Sequence, residues 1–156
     1  MTTVDDTVTT SADGPSGPDL LEGHRSLRLP HTPAAVRSAR RALFEDLTER
    51  RVDRVIVEEA EAVVAEFVAN AVLHARPLPD GCVRVRWKVK NGVVEVEVRD
   101  GGGTTVPKPV RRSPWAARGR GLRIVRSMAH EWGVQEADNG STVWAALGGP
   151  SRRRRF

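Results

Sequence analysis

The sequence contains one cysteine, Cys82, and no tyrosine among its 156 residues. A single cysteine excludes an internal disulfide and a metal site built from cysteines, and the histidines have no metal-ligand spacing. No apolar run approaches the ~18–20 residues that a membrane-spanning helix needs. The N-terminus lacks the basic start and the apolar stretch of a signal peptide. These absences predict a soluble, cytoplasmic protein with no membrane partner.

Acidic residues are concentrated at the N-terminus, where residues 1–23 contain five of them and no Lys or Arg. The net charge of the chain is +5, so the remaining 133 residues carry +10. A basic domain can attract nucleic acid, nucleotides or an acidic protein. The arginines are scattered and aromatic residues form only 4% of the chain. Since RNA modules stack bases on aromatic side chains, this composition argues against a nucleic-acid partner.

Composition also divides the chain into three parts. Residues 1–23 are rich in Thr, Ser, Asp, Gly and Pro, which predicts a disordered acidic tail. Residues 24–149 have the apolar patterning of one compact domain. The segment "PSRRRRF" (150–156) is a basic tail, either a solvated terminus or a contact to an acidic partner or nucleic acid.

Local patterns within the domain predict a mixture of strands and helices. A strand over 25–30 precedes a helix capped by Thr32, and Asp53 caps a second helix that runs to about Ala75. Two alternating strands follow, joined by Asn91-Gly92, which is a strong hairpin signal. After an irregular stretch over 101–120 come a helix over 122–133 and a second hairpin, "VQEAD" to "TVWAALG". This order predicts an α+β fold, a two-layer α/β sandwich whose mostly antiparallel sheet carries helices on one face.

The second helix carries three polar residues, Glu66, Asn70 and His74, spaced four apart in an apolar-rich segment. This spacing places them on one stripe of the helix. A buried carboxylate is costly unless it is paired or hydrogen-bonded. The stripe therefore faces either solvent or a polar cavity, and the pattern alone leaves both open.

Two glycine-rich segments are candidates for ligand contact. In "VEVRDGGG", Asp100 ends a strand, where its carboxylate can accept a hydrogen bond from an exocyclic amine such as that of adenine; the alternative is a flexible turn. In "RGRGLRIV", Gly119 and Gly121 directly precede a helix, where free backbone N–H groups make an anion site. Neither a Walker A loop nor a Rossmann fingerprint is present.

Taken together, these segments predict an adenine acceptor, a phosphate cradle and a helix bearing a carboxylate and an amide. Triphosphate chemistry needs Mg²⁺ held by oxygen ligands, and Asn70 suits that position. It also needs a carboxylate that orients or deprotonates the attacking hydroxyl, and Glu66 suits that one.

Four segments resemble the motifs of one family, in order, over roughly residues 25–148. "EFVANAVLHA" resembles the N box of the GHKL (histidine-kinase-like) ATPase superfamily, "DGGG" its G1 box, "GRGLRIVRSMAHEWGV" its G2 region and "GSTVWAAL" its closing Gly-x-Thr strand pair. The G1 box usually reads Asp-x-Gly-x-Gly, and here Thr104 takes the fifth position. The single small domain is similar to the bacterial anti-sigma-factor serine/threonine protein kinases of the actinobacterial type.

The resemblance implies a Bergerat fold that binds ATP and Mg²⁺. It implies that Glu66 is the general base, that Asn70 is the magnesium ligand, and that residues 101–118 form a lid over ATP. The remaining ATP-binding residues that it implies are Asp100 and Gly102 at the adenine, Gly119 and Gly121 at the phosphates, and Thr142 near the adenine.

The implied function is that of an ATP-binding anti-sigma regulator that phosphorylates serine or threonine on an antagonist protein. The alternative is a module that binds ATP and sequesters its partner without phosphoryl transfer. Implied partners are a sigma factor, an antagonist protein or both, and family analogy makes a homodimer compatible with the sequence.

Overall fold

A computed structural model of the chain describes residues 23–103, 119–137 and 139–149. The predicted tails lie outside these ranges apart from Gly23, and so does the predicted lid beyond Gly103. The described elements follow the predicted order: β1 (Arg25–Pro30), α1 (Ala34–Glu49), α2 (Arg54–His74), β2 (Cys82–Lys90), β3 (Val93–Asp100), α3 (Gly119–Met128), β4 (Glu131–Ala137) and β5 (Gly140–Leu147). No helix in the described ranges is long and apolar enough to span a bilayer.

The five strands form one sheet in the order β1-β2-β3-β5-β4, and each neighbouring pair is antiparallel. The predicted hairpin between β2 and β3 is confirmed, with Lys90 opposite Val93. Its two turn residues, Asn91 and Gly92, have φ of 52° and 75°. Positive φ at both positions is what the two-residue type I′ hairpin turn requires, because its twist then matches that of the strands.

Strand residues alternate between a buried face and an open face of the sheet. The buried face is covered by the helices: α2 packs on β2, β3 and β5, while α1 contacts β1 and α3 contacts β4. Its fully buried side chains include Leu29, Val83, Val85, Val94, Val96 and Leu147, which meet Leu43, Leu47, Val63, Val64, Phe67 and Val68 of the helices. The open face carries charged side chains. The α+β sandwich with helices on one face is therefore confirmed.

Of the two predicted helix caps, one is formed in the structure and one is not. Asp53 caps α2 as predicted, since its side chain accepts a hydrogen bond from Val55 N. Thr32 does not cap α1: the N-cap residue is Pro33, and no side-chain cap hydrogen bond is made there. The Thr32 carbonyl accepts from Ala35 N at 2.9 Å instead, so the backbone itself closes the first turn.

The third helix is shorter than predicted, because it ends at Met128 and not near Gly133. Residues 131–137 pair with β5, with Trp132 opposite Ala145 and Gly133 opposite Trp144. A Cβ on Gly133 would lie 2.9 Å from the Trp144 side chain, so this glycine gives room for a cross-strand indole and does not end a helix. Pairing with β5 overrides the local helical pattern, as tertiary context often does.

A polar network around Asp46 joins α1 to the sheet. The Asp46 carboxylate accepts hydrogen bonds from Arg25 Nε at 3.1 Å and from Trp87 Nε1 at 2.8 Å. It also forms an ion pair with Arg50, whose Nε lies 2.9 Å away without hydrogen-bond geometry. Its side chain is only 13% exposed. One carboxylate thus bonds to a guanidinium of β1 and an indole N–H of β2, and its charge faces a second guanidinium at the end of α1.

We expect Asp46→Asn to lower the free energy of unfolding by about 1–3 kcal/mol, because it removes the negative charge that lies beside two partly buried guanidinium groups. Urea unfolding with an unchanged m-value measures this loss. The matched control is Glu45→Gln on the same helix, where the exposed pair with Arg41 at 3.8 Å should contribute little. Equal stability of the two variants would contradict a structural role for the Asp46 network.

Candidate functional site

The glycine-rich segment after β3 is tied to the segment that leaves α2. Arg76 N donates to Gly102 O at 2.9 Å, and Gly101 N donates to Arg76 O at 2.7 Å. Ala75 forms an antiparallel bridge with Gly103. The chain can pair in this way because Ala75 leaves the helix in an extended conformation, with φ −124° and ψ 166°. These bonds hold the last turns of α2 beside the end of β3.

Gly101 and Gly102 each disfavour a side chain, but for different physical reasons. A Cβ on Gly101 would lie 2.1 Å from Pro77 O, so the close approach of the two segments excludes any side chain there. Gly102 has φ of +95°, which disfavours other residues, yet a Cβ there would meet nothing nearer than Gly140 Cα at 3.9 Å. The backbone at Gly102 therefore borders open space, as expected where a ligand approaches.

Asp100 is buried at the end of β3, on the helix-covered face of the sheet, with 2% of its surface exposed. Its Oδ1 accepts the backbone N–H of Gly102 at 2.8 Å, which fixes the carboxylate at the start of the glycine segment. Because Asp100 follows Val98 by two residues on the strand, both side chains point to the same face. The position that the sequence predicts for an adenine acceptor is thus a buried, oriented carboxylate.

Ser141 stands directly opposite Asp100 on β5 and was not predicted as a site residue. It is 5% exposed, and its Oγ has no hydrogen-bond partner among the described residues. A buried hydroxyl without a partner costs free energy, and such a group calls for an explanation such as a missing ligand or water. The sequence signal for Ser141 is its place immediately after Gly140, but only the strand register shows that it faces Asp100.

Thr142, predicted to lie near the adenine, is on the other face of the sheet. Its partners across the sheet are Arg99 on β3 and Gln135 on β4. Since successive strand residues point to opposite faces, Thr142 cannot share the face of Asp100 while Ser141 does. The structure therefore separates Thr142 from the predicted site and brings Ser141 to it.

The polar stripe of α2 runs from its interior to its C-terminal end. Glu66 is half-buried, Asn70 is buried with 8% exposed, and His74 is exposed in the last turn. None of the ion pairs among the described residues involves Glu66. The pattern left open whether the stripe faces solvent or a polar cavity. The burial of Glu66 and Asn70 excludes full exposure of these two side chains to solvent.

His31, in the connection between β1 and α1, holds the C-terminal end of α2. Its Nε2 lies 2.9 Å from both Ala71 O and Ala75 O. Since carbonyl oxygens only accept, Nε2 carries the hydrogen and donates to both. Ala71 O also accepts the backbone N–H of Ala75 at 3.2 Å, whereas Ala75 O lies beyond the last helical bond, where carbonyls lack partners within the helix. The imidazole therefore bonds to a carbonyl at the helix end and fixes the part of α2 that meets the glycine segment. Spacing along the sequence gave no sign of this role.

Gly119 and Gly121 lie in the first turn of α3, which begins at Gly119. The sequence predicted that both glycines precede the helix, whereas the helix already includes them. The first N–H groups of a helix lack partners within it, so these two remain available to a ligand. α3 packs on α2, so both helices border the same region of the molecule.

The oxygen ligands that the described residues offer are compatible with a hydrated magnesium ion held partly by phosphate oxygens. Within the described residues, no group of three or more His, Cys, Asp or Glu could hold a metal ion on its own. Mg²⁺ commonly keeps several waters and takes only one or two protein oxygens plus substrate phosphates. The Asn70 amide carbonyl suits such a site. The described residues form no metal site whose ligands all come from the protein.

Comparison with known proteins adds two findings to this geometry. The model of the family described as the histidine kinase-like ATPase domain matches residues 29–147. Among solved structures, the chain is similar to the RsbU and RsbW domains of Rv1364c from Mycobacterium tuberculosis, with a TM-score of 0.63 and 24% identity. That match covers 83% of this chain but only 34% of the other, so the chain spans about a third of its length. No curated protein matches the chain.

Proposed function

We propose, from the premise that the chain belongs to the histidine kinase-like ATPase family, that its site binds ATP with Mg²⁺. The observation that carries this proposal is the pair formed by Asp100 and Ser141. A buried carboxylate and a buried hydroxyl without a partner face the same space, beside a glycine with room for a ligand. Such a pair suits the exocyclic amine and ring nitrogens of adenine.

In this proposal, the other site residues contact different parts of the nucleotide. Asn70 supplies an amide oxygen to the metal, and Gly119 and Gly121 offer backbone N–H groups to the phosphates at the start of α3. ATP supplies the phosphoryl group when it is bound. Glu66 orients and deprotonates the attacking hydroxyl, a role that a half-buried carboxylate with no ion-pair partner in the described ranges can fill.

The finer proposal is a serine/threonine protein kinase that acts on an antagonist protein and regulates a sigma factor in the cytoplasm. It rests on the resemblance to anti-sigma-factor kinases, and a solved structure whose name includes an RsbW domain has the same fold. The alternative is an ATP-binding module that sequesters its partner without phosphoryl transfer. Glu66 favours the kinase, because sequestration alone gives no reason for a carboxylate within a largely apolar helix.

Calorimetric titration of the purified chain with Mg-ATP, with Mg-GTP as the control, tests nucleotide binding. We expect saturable heat with ATP and a much weaker response with GTP. Guanine presents a carbonyl oxygen where adenine presents its amine, so it would place an acceptor, and no donor, against the Asp100 carboxylate. Equal binding of both nucleotides would contradict the adenine assignment, and no binding of either would contradict the proposed site.

We expect Ser141→Ala to weaken ATP binding by roughly three- to tenfold, since a neutral hydrogen bond contributes about 0.5–1.5 kcal/mol. The same change should leave the stability of the nucleotide-free protein unchanged or raise it, because it removes a hydroxyl that has no partner there. The matched variant is Thr142→Val on the opposite face, which should keep full affinity. Calorimetry and thermal unfolding of both variants measure the two effects. If Thr142→Val weakened ATP binding and Ser141→Ala did not, Thr142 and not Ser141 would lie near the adenine.

A further inference from the structure

The open face of the sheet carries a row of arginines that the nucleotide site does not use. The strand register places Arg28 opposite Arg84, Arg84 opposite Arg99, and Arg99 opposite Thr142. Gln135 follows next to Thr142. Like charges directly opposite one another destabilise a sheet. Three guanidinium groups side by side therefore need a reason, because folding alone disfavours them.

The cations of the neighbouring rows have carboxylate partners. Arg86 pairs with Glu97 at 3.3 Å, and Lys88 lies 3.9 Å from Glu95. Within the arginine row, Arg28 pairs with Asp80.

Arg84 and Arg99 differ from these, because neither has a carboxylate partner among the described residues. Arg99 reaches only the neutral Asn139 Oδ1, at 3.3 Å. Within the described ranges, these two adjacent positive charges are thus left uncompensated.

A cavity of about 220 Å³ lies over these side chains. It is lined by Arg84, Arg86, Glu97, Arg99, Gln135 and Thr142. Glu97, its only carboxylate, already pairs with Arg86. Guanidinium forks bind carboxylates with two parallel hydrogen bonds, and the hydroxyl of Thr142 and the amide of Gln135 add further donors. The cavity is therefore suited to an anionic ligand that carries carboxylates.

We propose that Arg84 and Arg99 bind carboxylates of the chain's own N-terminal segment, residues 1–22. This segment contains five acidic residues and no basic ones, which complements the uncompensated arginines. It also joins the fold at the start of β1, the edge strand whose Arg28 begins the row. A tethered ligand of this kind acts at an effective concentration on the order of millimolar, so even weak ion pairs can hold it.

Chain length selects the acidic residues that can take part. Arg28 follows Gly23 by five residues, which correspond to ~17 Å of extended chain. Arg84 lies one strand spacing of ~5 Å from Arg28, and Arg99 lies two spacings from it. Asp19 is four residues from Gly23, which allows at most ~14 Å of extended chain. Asp13 is ten residues away, which allows ~35 Å. Reversing the chain takes a turn of about four residues, whose ends lie within ~7 Å of each other, so Asp19 stays short of both arginines even when the length of an arginine side chain is added. Asp13, with Asp5 and Asp6 beyond it, can reach the cavity after this turn.

The only cysteine of the chain allows a direct test in the full-length protein. Cys82 is half-buried on the open face and precedes Arg84 by two residues on β2, or ~7 Å. A nitroxide attached to Cys82 broadens the NMR signals of amides that come close to it. We expect the amides around Asp13 to lose most of their peak intensity at low salt. The intensity should return at about 1 M salt, where the screening length falls to about 3 Å.

Two sets of variants decide whether the arginines cause this contact. Arg84→Gln combined with Arg99→Gln should restore the intensities of the segment, and so should Asp13→Asn combined with Asp5→Asn and Asp6→Asn. The matched controls are Arg40→Gln, on α1 away from the open face, and Asp19→Asn, which removes an acidic charge that cannot reach. The sheet amides in the same spectra report whether each variant remains folded.

Three results would overturn the proposal. The first is broadening that persists when Arg84 and Arg99 are both replaced. The second is broadening centred on Asp19 and Glu22, which would mean simple proximity to the start of β1. The third is broadening seen only between different molecules, in a mixture of nitroxide-labelled and isotope-labelled chains, which would make the ligand a second copy. ATP plays no part in these measurements, so failure of the nucleotide proposal would not affect them.

Discussion

Replacing Asp100 with asparagine is expected to weaken ATP binding by roughly ten- to a hundredfold, equivalent to about 1.5–3 kcal/mol for a hydrogen bond to a charged group. Asparagine keeps the shape of the side chain and an oxygen that can still accept from Gly102 N, a bond of 2.8 Å in this structure. The variant thus removes the charge while leaving the local turn intact. Calorimetric titration with Mg-ATP measures the loss.

Asp80→Asn is a matched control for this change. The Asp80 Oδ1 accepts from Cys82 N at 3.0 Å, the same two-residue turn that Asp100 makes with Gly102, but it lies in the loop before β2. Desolvation, the largest influence, raises the pKa of Asp80, yet hydrogen bonds from Arg28 and Cys82 N together with the charge of Arg28 bring the pKa below its ordinary value.

The lowered pKa gives the sign of any stability change in this control. The charged form of Asp80 stabilises the fold above the pKa of the unfolded chain, and this contribution is lost as the pH falls through the folded pKa. At neutral pH the control should therefore lose at most about 1 kcal/mol of stability, as for other exposed pairs. It should lose no affinity for ATP. Unchanged ATP affinity in Asp100→Asn, with Asp80→Asn behaving the same way, would remove Asp100 from the site.

Replacing Glu66 with alanine is expected to lower the rate of phosphoryl transfer by about 10²–10⁴-fold, the usual contribution of a positioned general base. ATP affinity should change little, because the proposed role concerns the attacking hydroxyl and not the nucleotide. The assay follows radiolabelled phosphate from ATP to an antagonist protein that the wild-type chain phosphorylates. Glu66→Gln tests the same role without opening a cavity.

Glu61→Gln provides the control for Glu66 on the same helix. Glu61 is also half-buried, but it does not belong to the stripe formed by Glu66, Asn70 and His74. It should keep wild-type transfer. Full transfer by both Glu66 variants would show that another group is the base. If the wild-type chain binds ATP but transfers phosphate to no antagonist, the sequestering alternative takes the place of the kinase.

Much of the fold could be predicted because its local signals agree with its tertiary structure. The alternation of β2 and β3 around Asn91-Gly92 specifies both the pairing and the buried face, since the side-chain period of a strand is two. Asp53 caps α2 as its position predicts. The third helix is the exception. Residues 131–133 lie in a segment that suits a helix, but pairing with β5 satisfies their backbone groups as a strand.

The sequence by itself determined the order of the elements, the alternation that gives the sheet one apolar face, and the candidate residues Glu66, Asn70, Asp100 and Gly102. Only the tertiary structure decided which of Ser141 and Thr142 shares a face with Asp100. It also revealed the His31 contact to α2 and the alignment of Arg28, Arg84 and Arg99 in one row. The physical reason is that local patterns fix the direction of side chains within one strand or helix, whereas strand register between distant segments decides which side chains meet.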